Sequence, residues 1–248
     1  MNYLSREHYQ KLAQNYDKFW VYSPDFIDFL SQIIIDILAL KSTDIFVDLG
    51  CGTGIYSKSI ISKITLKNPV ICVDPSDKMI EQIPNNSQYK ILVKDGIEFV
   101  YEPGKYDKIL MKEMIHHIED KEKFLQGLFQ RLNLTGSLLL ILLPPTIEYP
   151  LFTEALRTYE AVQPNYNDLV KLFQKIGFQT TVDWVEYPVS IPKEQYFDMV
   201  KNRYMSLLSR FDDTQLQQGL AEMEQKYCNQ SRLEFCDRFV FISAKIKV

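Results

Sequence analysis

Hydrophobic residues recur along the chain with two spacings, one typical of helices and one typical of buried strands. In residues 24–40, apolar side chains return every three or four positions, which predicts an amphipathic helix that begins at Pro24 after an N-cap at Ser23. Residues 5–20 are predicted to be helical as well. Residues 44–50 form instead a short apolar run before glycines, which is typical of a strand buried on both faces.

The same two patterns alternate over the first two thirds of the chain. The predicted strands are residues 44–50, 69–74, 89–95, 106–112 and 136–144. The predicted helices between them are residues 54–64, 77–83 and 116–132. Strands that alternate with helices predict right-handed crossovers and a doubly wound parallel sheet.

The last third of the chain breaks this alternation. A predicted helix at 166–178 precedes a strand at 179–191, and a helical stretch separates that strand from a final one at 233–246. We therefore expect an α/β, Rossmann-like fold with a seven-stranded, mostly parallel sheet, helices on both faces and a helical cap. No linker is evident, so residues 1–248 are predicted to form a single domain. The predicted cap segments are residues 1–30, 146–163 and 192–230.

The glycine-rich stretch VDLGCGTG, residues 47–54, follows the first predicted strand. A P-loop requires Lys and Ser or Thr where Ile55 and Tyr56 stand, which excludes that motif. A dinucleotide fingerprint that begins at Gly50 requires its third glycine at position 55, but that glycine comes one residue early, at Gly54. The loop is therefore predicted to approach a ligand closely without holding a pyrophosphate.

Three acids lie at the ends of three successive predicted strands. Asp48 precedes the glycine loop, Asp74 closes the second strand and Asp95 closes the third. The carboxyl ends of parallel strands form the edge of the sheet where ligands bind, and an acid after the second strand can accept both hydroxyls of a ribose. Asp48 suits a cationic or amine-bearing ligand, so the pattern indicates a nucleoside site with no phosphate to hold.

These stretches together resemble the class I S-adenosylmethionine-dependent methyltransferases, in particular their small-molecule group of types 11 and 25. The matching stretches are VDLGCGTG, CVDPSDKMI, VKDGIEF, YDKILMKEMIHHI and LTGSLLLILL. The resemblance is close over residues 5–145 and extends to the last hundred only in layout. It implies S-adenosylmethionine as cofactor and methyl transfer as activity.

The resemblance also implies which residues bind the cofactor. The glycine loop lines the methionine and ribose portions, Asp74 accepts the ribose hydroxyls, and Asp95 meets the adenine. Asp48 supports the loop and the amino group of the ligand, and the backbone of Lys112 approaches the sulfonium. The implied cofactor-binding residues are Asp48, Gly50, Cys51, Gly52, Gly54, Asp74, Pro75, Met79, Asp95, Gly96 and Lys112.

Candidates for the reactive end lie in the stretch KEMIHHI, which resembles the RDxxLHI stretch of phosphoethanolamine methyltransferases. Glu113 stands where that family has Asp, and His116 is an additional histidine. Glu113 and His117 are four residues apart and would face the same way on a helical turn. The family partners its histidine with a tyrosine from the N-terminal segment, for which Tyr16 is a candidate. In the alternative interpretation the histidines pack against the ligand and no base is used.

Charge, cysteine spacing and apolar segments limit the kinds of partner and cellular location expected for the protein. The net charge of −4 and the absence of a basic stripe argue against a nucleic-acid binder. The four cysteines lack the spacing of a zinc site, so no metal is expected. The N-terminus lacks an apolar signal segment and the longest apolar run is too short to span a membrane, so a cytoplasmic protein is expected.

The expected acceptor is a small organic molecule, such as a natural-product intermediate. Aromatic residues of the predicted cap, among them Tyr149, Tyr196 and Tyr204, are each expected to pack rather than to contact the acceptor. The alternatives are an RNA or protein methyltransferase and a protein that binds the cofactor without catalysis. The oligomeric state is left open.

Overall fold

The computed structural model describes Ala13 and residues 24–247. The helix predicted at 5–20, the N-cap Ser23 and the candidate Tyr16 lie outside the described residues. Within that part of the chain, no helix combines the length and the apolar character that a membrane span requires.

Seven strands form one sheet in the order β3-β2-β1-β4-β5-β7-β6. The first five strands are parallel to one another, and β7 runs antiparallel to both β5 and β6. The expected mostly parallel α/β sheet is confirmed. The strand bounds are β1 Phe46–Leu49, β2 Val70–Asp74, β3 Tyr89–Val93, β4 Tyr106–Lys112, β5 Leu132–Leu142, β6 Phe178–Pro192 and β7 Arg232–Ile246.

Helices cover both faces of the sheet. Two short 3-10 helices, Ile115–His117 and Ser206–Arg210, interrupt the connections. The α-helices are α1 Pro24–Leu38, α2 Ile55–Lys63, α3 Asp77–Ile80, α4 Gly96–Tyr101, α5 Lys121–Arg131, α6 Thr153–Val162, α7 Tyr166–Ile176, α8 Lys193–Lys201 and α9 Asp213–Lys226.

The two faces of the sheet bury two separate cores. Side chains alternate between the faces along each strand, so Phe46 enters one core whereas Val47 and Leu49 enter the other. The first core, which we call the α1 face, also holds Phe26 from α1 and Phe239 from β7. Because side chains alternate in this way, the position of a residue along its strand determines which face of the sheet its side chain lies on.

Several predicted elements differ from the observed ones for local reasons. The helix predicted at 116–132 is split, because Asp120 caps a new helix by accepting the Lys123 N–H and only a 3-10 turn precedes it. The helix predicted at 77–83 ends at Ile80, and the third strand ends at Val93. The fifth strand begins four residues earlier than predicted, at Leu132.

The long connection between β6 and β7 carries α8, a 3-10 helix and α9. Gly219 of α9 lies against the ring of Phe152, where an added Cβ would come within 2.5 Å of that ring. Glu222 of α9 accepts the backbone N–H of Thr153 at the start of α6, at 2.8 Å. The segment after β5 and the late insertion therefore pack against each other.

Candidate active site

The loop from Gly50 to Gly54 leaves β1 through three left-handed residues. Gly50, Gly52 and Gly54 have φ angles of 78°, 55° and 72°, a region that other residues enter only with strain. The N–H groups of Gly50 and Cys51 both donate to the carbonyl oxygen of Val73 on β2. The loop is therefore fixed to the end of the neighbouring strand and turns directly into α2.

The glycines of this loop differ in what surrounds them. A Cβ on Gly50 would lie 2.7 Å from the Cβ of Met114, and one on Gly54 would lie 2.8 Å from Ile83. A Cβ on Gly52 would meet only the end of the Met79 side chain, at 3.2 Å. Rigid neighbours thus pack against the loop at Gly50 and Gly54, whereas at Gly52 the nearest described group is the flexible end of Met79.

Asp74 connects the end of β2 to this loop. One carboxylate oxygen accepts the N–H of Gly52 at 3.0 Å and the other accepts the N–H of Ser76 at 2.9 Å. Burial raises the pKa of Asp74 to about 6, although these two hydrogen bonds lower it. Each oxygen can accept one more hydrogen bond, which suits a pair of ribose hydroxyls beside Gly52.

Asp48 is buried beneath the loop. Its carboxylate accepts the hydroxyl of Ser57 on α2 at 2.6 Å. Burial raises the pKa of Asp48 to about 6, the Ser57 bond lowers it, and the nearby Asp74 carboxylate raises it further. A ligand cation near Asp48 would favour its ionised form, in accord with the amine-bearing ligand that the sequence predicts.

Four ionisable side chains follow one another along the same face of the sheet. By strand parity, Asp74, Asp48, Lys112 and Asp237 all lie on the α1 face. Lys112, at the end of β4, places its ammonium 5.1 Å from the Tyr56 ring centre and 5.0 Å from that of Phe239. Its ammonium thus lies between the start of α2 and β7, which the sequence did not indicate.

The structure corrects the prediction that Asp95 ends the third strand. Asp95 is the N-cap of α4, where it accepts the Glu98 N–H in a reciprocal capping box. Gly96 is buried in the same turn, and a Cβ there would lie 2.9 Å from the ring of Phe124. Packing is thus sufficient to explain this glycine, and the roles of both residues toward adenine remain predictions.

The helical pairing expected of Glu113 and His117 is wrong. Glu113 has a φ of 52° and follows β4 directly, whereas His117 lies in the 3-10 turn Ile115–His117. The Glu113 carboxylate accepts the N–H of Leu143 at 2.5 Å, which ties it to the end of β5. Burial raises the pKa of Glu113, and the Lys112 ammonium lowers it. A strained, buried carboxylate at a strand end is typical of functional sites.

The two histidines differ in their suitability as bases. Their rings lie 4.0 Å apart between centres. Burial, with a smaller contribution from Lys121, lowers the pKa of His116 to about 4, and its Nδ1 has no hydrogen-bond partner within the described chain. An imidazole with such a pKa is neutral at pH 7 but accepts protons weakly, which leaves His117 as the stronger candidate.

Further buried polar groups, which the sequence did not indicate, lie near Lys112. Asp237 of β7 is buried, and its Oδ1 has no hydrogen-bond partner in the described part of the protein. Burial raises its pKa to about 6, whereas a hydrogen bond from Tyr149 and the Lys112 ammonium lower it. The hydroxyls of Tyr56 and Tyr159 are likewise buried there without a partner among the described residues. No single sequence motif contains Asp237, Tyr56 and Tyr159, since they come from β7, α2 and α6.

The glycine loop and the acids around it lie in a segment that is similar to a known domain. Residues 46–136 match the family model of the methyltransferase domain. This segment is a class I S-adenosylmethionine-dependent methyltransferase domain. The matched residues contain the glycine loop, Asp74, Asp95 and the stretch up to the start of β5, so the resemblance read from the sequence is confirmed.

Relatives and solved structures agree with this assignment. Malonyl-(acyl-carrier protein) O-methyltransferase 2 from Ilyobacter polytropus is 30% identical over 134 residues, which are 50% of this chain and 46% of that protein. The chain spans about half the length of the curated relatives it matches.

The fold of the methyltransferase domain is shared more widely than its sequence. A phosphoethanolamine N-methyltransferase 2 from Haemonchus contortus, solved with phosphomonomethylethanolamine and S-adenosylhomocysteine, has a TM-score of 0.61 at 16% identity and covers 98% of this chain and 60% of its own. The (4+2)-cyclase SpnF has a TM-score of 0.65 at 12% identity, with 98% of this chain and 97% of its own covered. The shared fold therefore extends beyond residues 46–136.

The residues of the methyltransferase domain fit S-adenosylmethionine, its cofactor. The nearest described group to a Cβ on Gly52 is the flexible end of Met79, and the Asp74 carboxylate that accepts the Gly52 N–H retains acceptor capacity for ribose hydroxyls. Asp48 provides a buried negative charge for a cationic ligand. Among the described residues, no cluster of three or more His, Cys, Asp or Glu side chains is arranged to hold a metal ion.

Proposed function

We propose that this protein transfers a methyl group from S-adenosylmethionine to an oxygen, nitrogen or carbon nucleophile of a small organic molecule. The observation that supports this most directly is the joining of Asp74 to the Gly52 N–H, at 3.0 Å, beside a loop of left-handed glycines. When bound, the cofactor supplies an electrophilic methyl group, and the chain's own residues align the reactants.

The proposed roles of the site residues follow their order along the α1 face of the sheet. Asp74 binds the ribose and Asp48 stabilises the positive charge of the cofactor, with the loop glycines, Pro75 and Met79 lining the site. Beyond Lys112, the side chains of Glu113 and His117 border the side from which an acceptor would approach. There, His117 would take a proton from a protonated nucleophile, or the histidines would only position the acceptor.

An RNA or protein substrate is the less favoured alternative. The net charge of −4 provides no general attraction for a polyanion, and the ionisable groups at the site are buried rather than spread over an open surface. A non-catalytic binding protein is the second alternative, because the fold by itself does not establish methyl transfer: a cyclase shares it. Turnover of labelled cofactor with a metabolite pool, compared with bulk RNA, separates these cases.

The cofactor assignment is tested at Asp74. We expect Asp74→Ala to weaken S-adenosylhomocysteine binding by roughly 1–3 kcal/mol, the scale of a lost charge-assisted hydrogen bond. Isothermal titration calorimetry measures this change directly. Asp74→Asn is the matched variant, because it keeps an acceptor for one backbone N–H while removing the charge.

Glu81→Gln serves as the control for the Asp74 variants. Glu81 is exposed and pairs with Lys78 on the surface, so Glu81→Gln is expected to leave binding unchanged. Equal affinities of wild type and both Asp74 variants would refute the ribose assignment. A wild-type protein that binds no S-adenosylhomocysteine would refute the proposed function itself.

A further inference from the structure

Beyond the cofactor site, one buried region of the α1 face contains polar atoms without a hydrogen-bond partner among the described residues. Asp237 Oδ1, the Tyr56 hydroxyl and the Tyr159 hydroxyl are all buried without a hydrogen-bond partner in the described part of the chain. Buried polar atoms in native proteins nearly always have a partner, so a group of three requires an explanation. We call this group, together with Lys112 and Glu113, the polar cluster.

The members of the polar cluster lie close enough to influence one another. After burial, the Asp237 and Glu113 carboxylates are the next causes that raise the pKa of Tyr56. The same two carboxylates raise the pKa of Tyr159. The Lys112 ammonium in turn lowers the pKa of Asp237. The three unpartnered atoms therefore belong to one electrostatic neighbourhood, although they come from β7, α2 and α6.

The register of the sheet places this cluster next to the cofactor loop. The last pair between β5 and β7 joins Leu142 to Val240, so Asp237 projects beyond the carboxyl end of β5. Lys112 is the last residue of β4, the strand beside β1. The cluster thus continues the row that begins at Asp74, along the edge where ligands bind in parallel sheets.

We propose that the methyl acceptor binds in the polar cluster and that Asp237 Oδ1 accepts a hydrogen bond from a hydroxyl or amine of that acceptor. This inference rests on the proposed function and names its substrate class, a small molecule with a neutral O–H or N–H group. The Tyr149 hydroxyl holds the other side of the Asp237 carboxylate, so Oδ1 is oriented for a ligand.

The charges of the cluster disfavour a carboxylate acceptor. Asp237 and Glu113 contribute two acids against the single ammonium of Lys112, which already lies between the rings of Tyr56 and Phe239. A ligand carboxylate would bring a third negative charge into a buried site, and like charges there repel strongly. A hydrogen-bond donor meets the unpartnered oxygens without that penalty.

The test uses four probes with the same aromatic ring, added to protein saturated with S-adenosylhomocysteine. Phenol and aniline carry a donor, anisole has none at a similar size, and benzoate carries a carboxylate. Ligand-observed NMR titration gives the dissociation constants. We expect phenol or aniline to bind at least about tenfold more tightly than anisole and benzoate, as for a hydrogen bond to a charged group. The comparison of phenol with aniline distinguishes a hydroxyl from an amine.

Variants assign the preference to the cluster. Asp237→Asn is expected to reduce the preference for a donor to about threefold or less, since the charge-assisted bond is lost. Tyr159→Phe, which removes one hydroxyl and keeps the ring, is expected to reduce it partially. Glu234→Gln, an exposed acid on the same strand, is the matched control and is expected to leave it unchanged. The melting temperature and S-adenosylhomocysteine affinity of each variant confirm that it folds.

Several outcomes would overturn the inference. Equal binding of phenol and anisole would mean that water alone satisfies the polar atoms, and a preference for benzoate would mean that Lys112 dominates the site. Failure of every probe to bind, or an unchanged preference in Asp237→Asn, would remove the cluster as an acceptor site. If the wild type binds S-adenosylhomocysteine, these results refute the inference alone. If it does not, the proposed function fails as well.

Discussion

Individual carboxyl groups in this protein are buried where a sheet normally contains apolar side chains. Asp48, Asp74 and Asp237 each have a pKa raised to about 6 by burial. Asp48 also accepts a hydrogen bond from the Ser57 hydroxyl, and Asp74 accepts two from backbone N–H groups. A buried carboxylate reduces stability unless a ligand or partner compensates for it. Buried acids with raised pKa values are typical of functional sites, which is why we propose the site at these residues.

The role of His117 can be separated from cofactor binding by substitution. We expect His117→Ala to lower the turnover number by about 100-fold or more if the imidazole takes a proton, the usual contribution of a general base. The affinity for S-adenosylhomocysteine is expected to stay within twofold of wild type, because no cofactor role is assigned to this side chain. Single-turnover kinetics and calorimetry measure the two quantities.

His116→Ala is the matched comparison for that substitution. The pKa of His116 is lowered to about 4 by burial, so its loss is expected to affect turnover less than the loss of His117. Full activity of His117→Ala would exclude His117 as a general base. Alignment of the reactants would then account for catalysis. An equally large loss in both variants would indicate that the histidines position the acceptor together.

At the scale of elements, local sequence patterns were sufficient for most of the fold. Apolar runs marked the strands, and alternation with helices gave the parallel order. The errors came where one side chain competes with the pattern: Asp120 starts α5 and thereby ends the helix predicted from residue 116. Glu113 has a left-handed backbone, which no spacing rule predicts for a glutamate.

The two glycines Gly50 and Gly52 offer a test of the loop as an element. Gly50→Ala places a Cβ at a residue with a φ of 78°, and this Cβ would lie 2.7 Å from that of Met114. The costs of backbone strain and of overpacking therefore add. We expect it to lower the free energy of unfolding by about 2–4 kcal/mol. Gly52→Ala has only the strain of its φ of 55°, since Met79 can move, and is expected to cost about 1–2 kcal/mol.

Cofactor binding should respond to these two substitutions in a different order from stability. The Cβ added at Gly52 meets the flexible end of Met79, beside the loop N–H that donates to Asp74, so Gly52→Ala is expected to weaken S-adenosylhomocysteine binding in a protein that remains folded. Urea unfolding and calorimetry on both variants provide the comparison. Equal unfolding free energies for the two variants would contradict the packing described at Met114.

The sheet as a whole brings the two ends of the proposed site together. Lys112 lies before the late strands, and Asp237 lies on the last strand, so no short motif contains both. The sequence could indicate the half of the site formed by β1, β2 and the glycine loop, because those residues are consecutive or follow strand ends. It could not indicate the half formed by β7 and α6, because the position of Asp237 depends on the antiparallel register of β5 and β7.

The stability of the whole molecule is expected to depend on pH through the buried acids. Asp48, Asp74 and Asp237 have folded pKa values of about 6, raised from 3.8, so each binds a proton more tightly in the folded than in the unfolded protein. Their contribution to stability is therefore fully present below about pH 4, is lost as the pH rises through about 6, and changes little above that.

Asp237→Asn isolates one of these contributions, because the amide does not titrate. Between pH 4.5 and pH 7.5, we expect the unfolding free energy of the variant to fall by about 2 kcal/mol less than that of wild type, since a pKa difference of one unit corresponds to 1.36 kcal/mol. Urea unfolding at both pH values measures this difference, and Glu234→Gln should follow the wild type. Parallel curves for wild type and Asp237→Asn would show that Asp237 titrates as an exposed acid, and the acceptor site proposed at its Oδ1 would then lose its buried carboxylate.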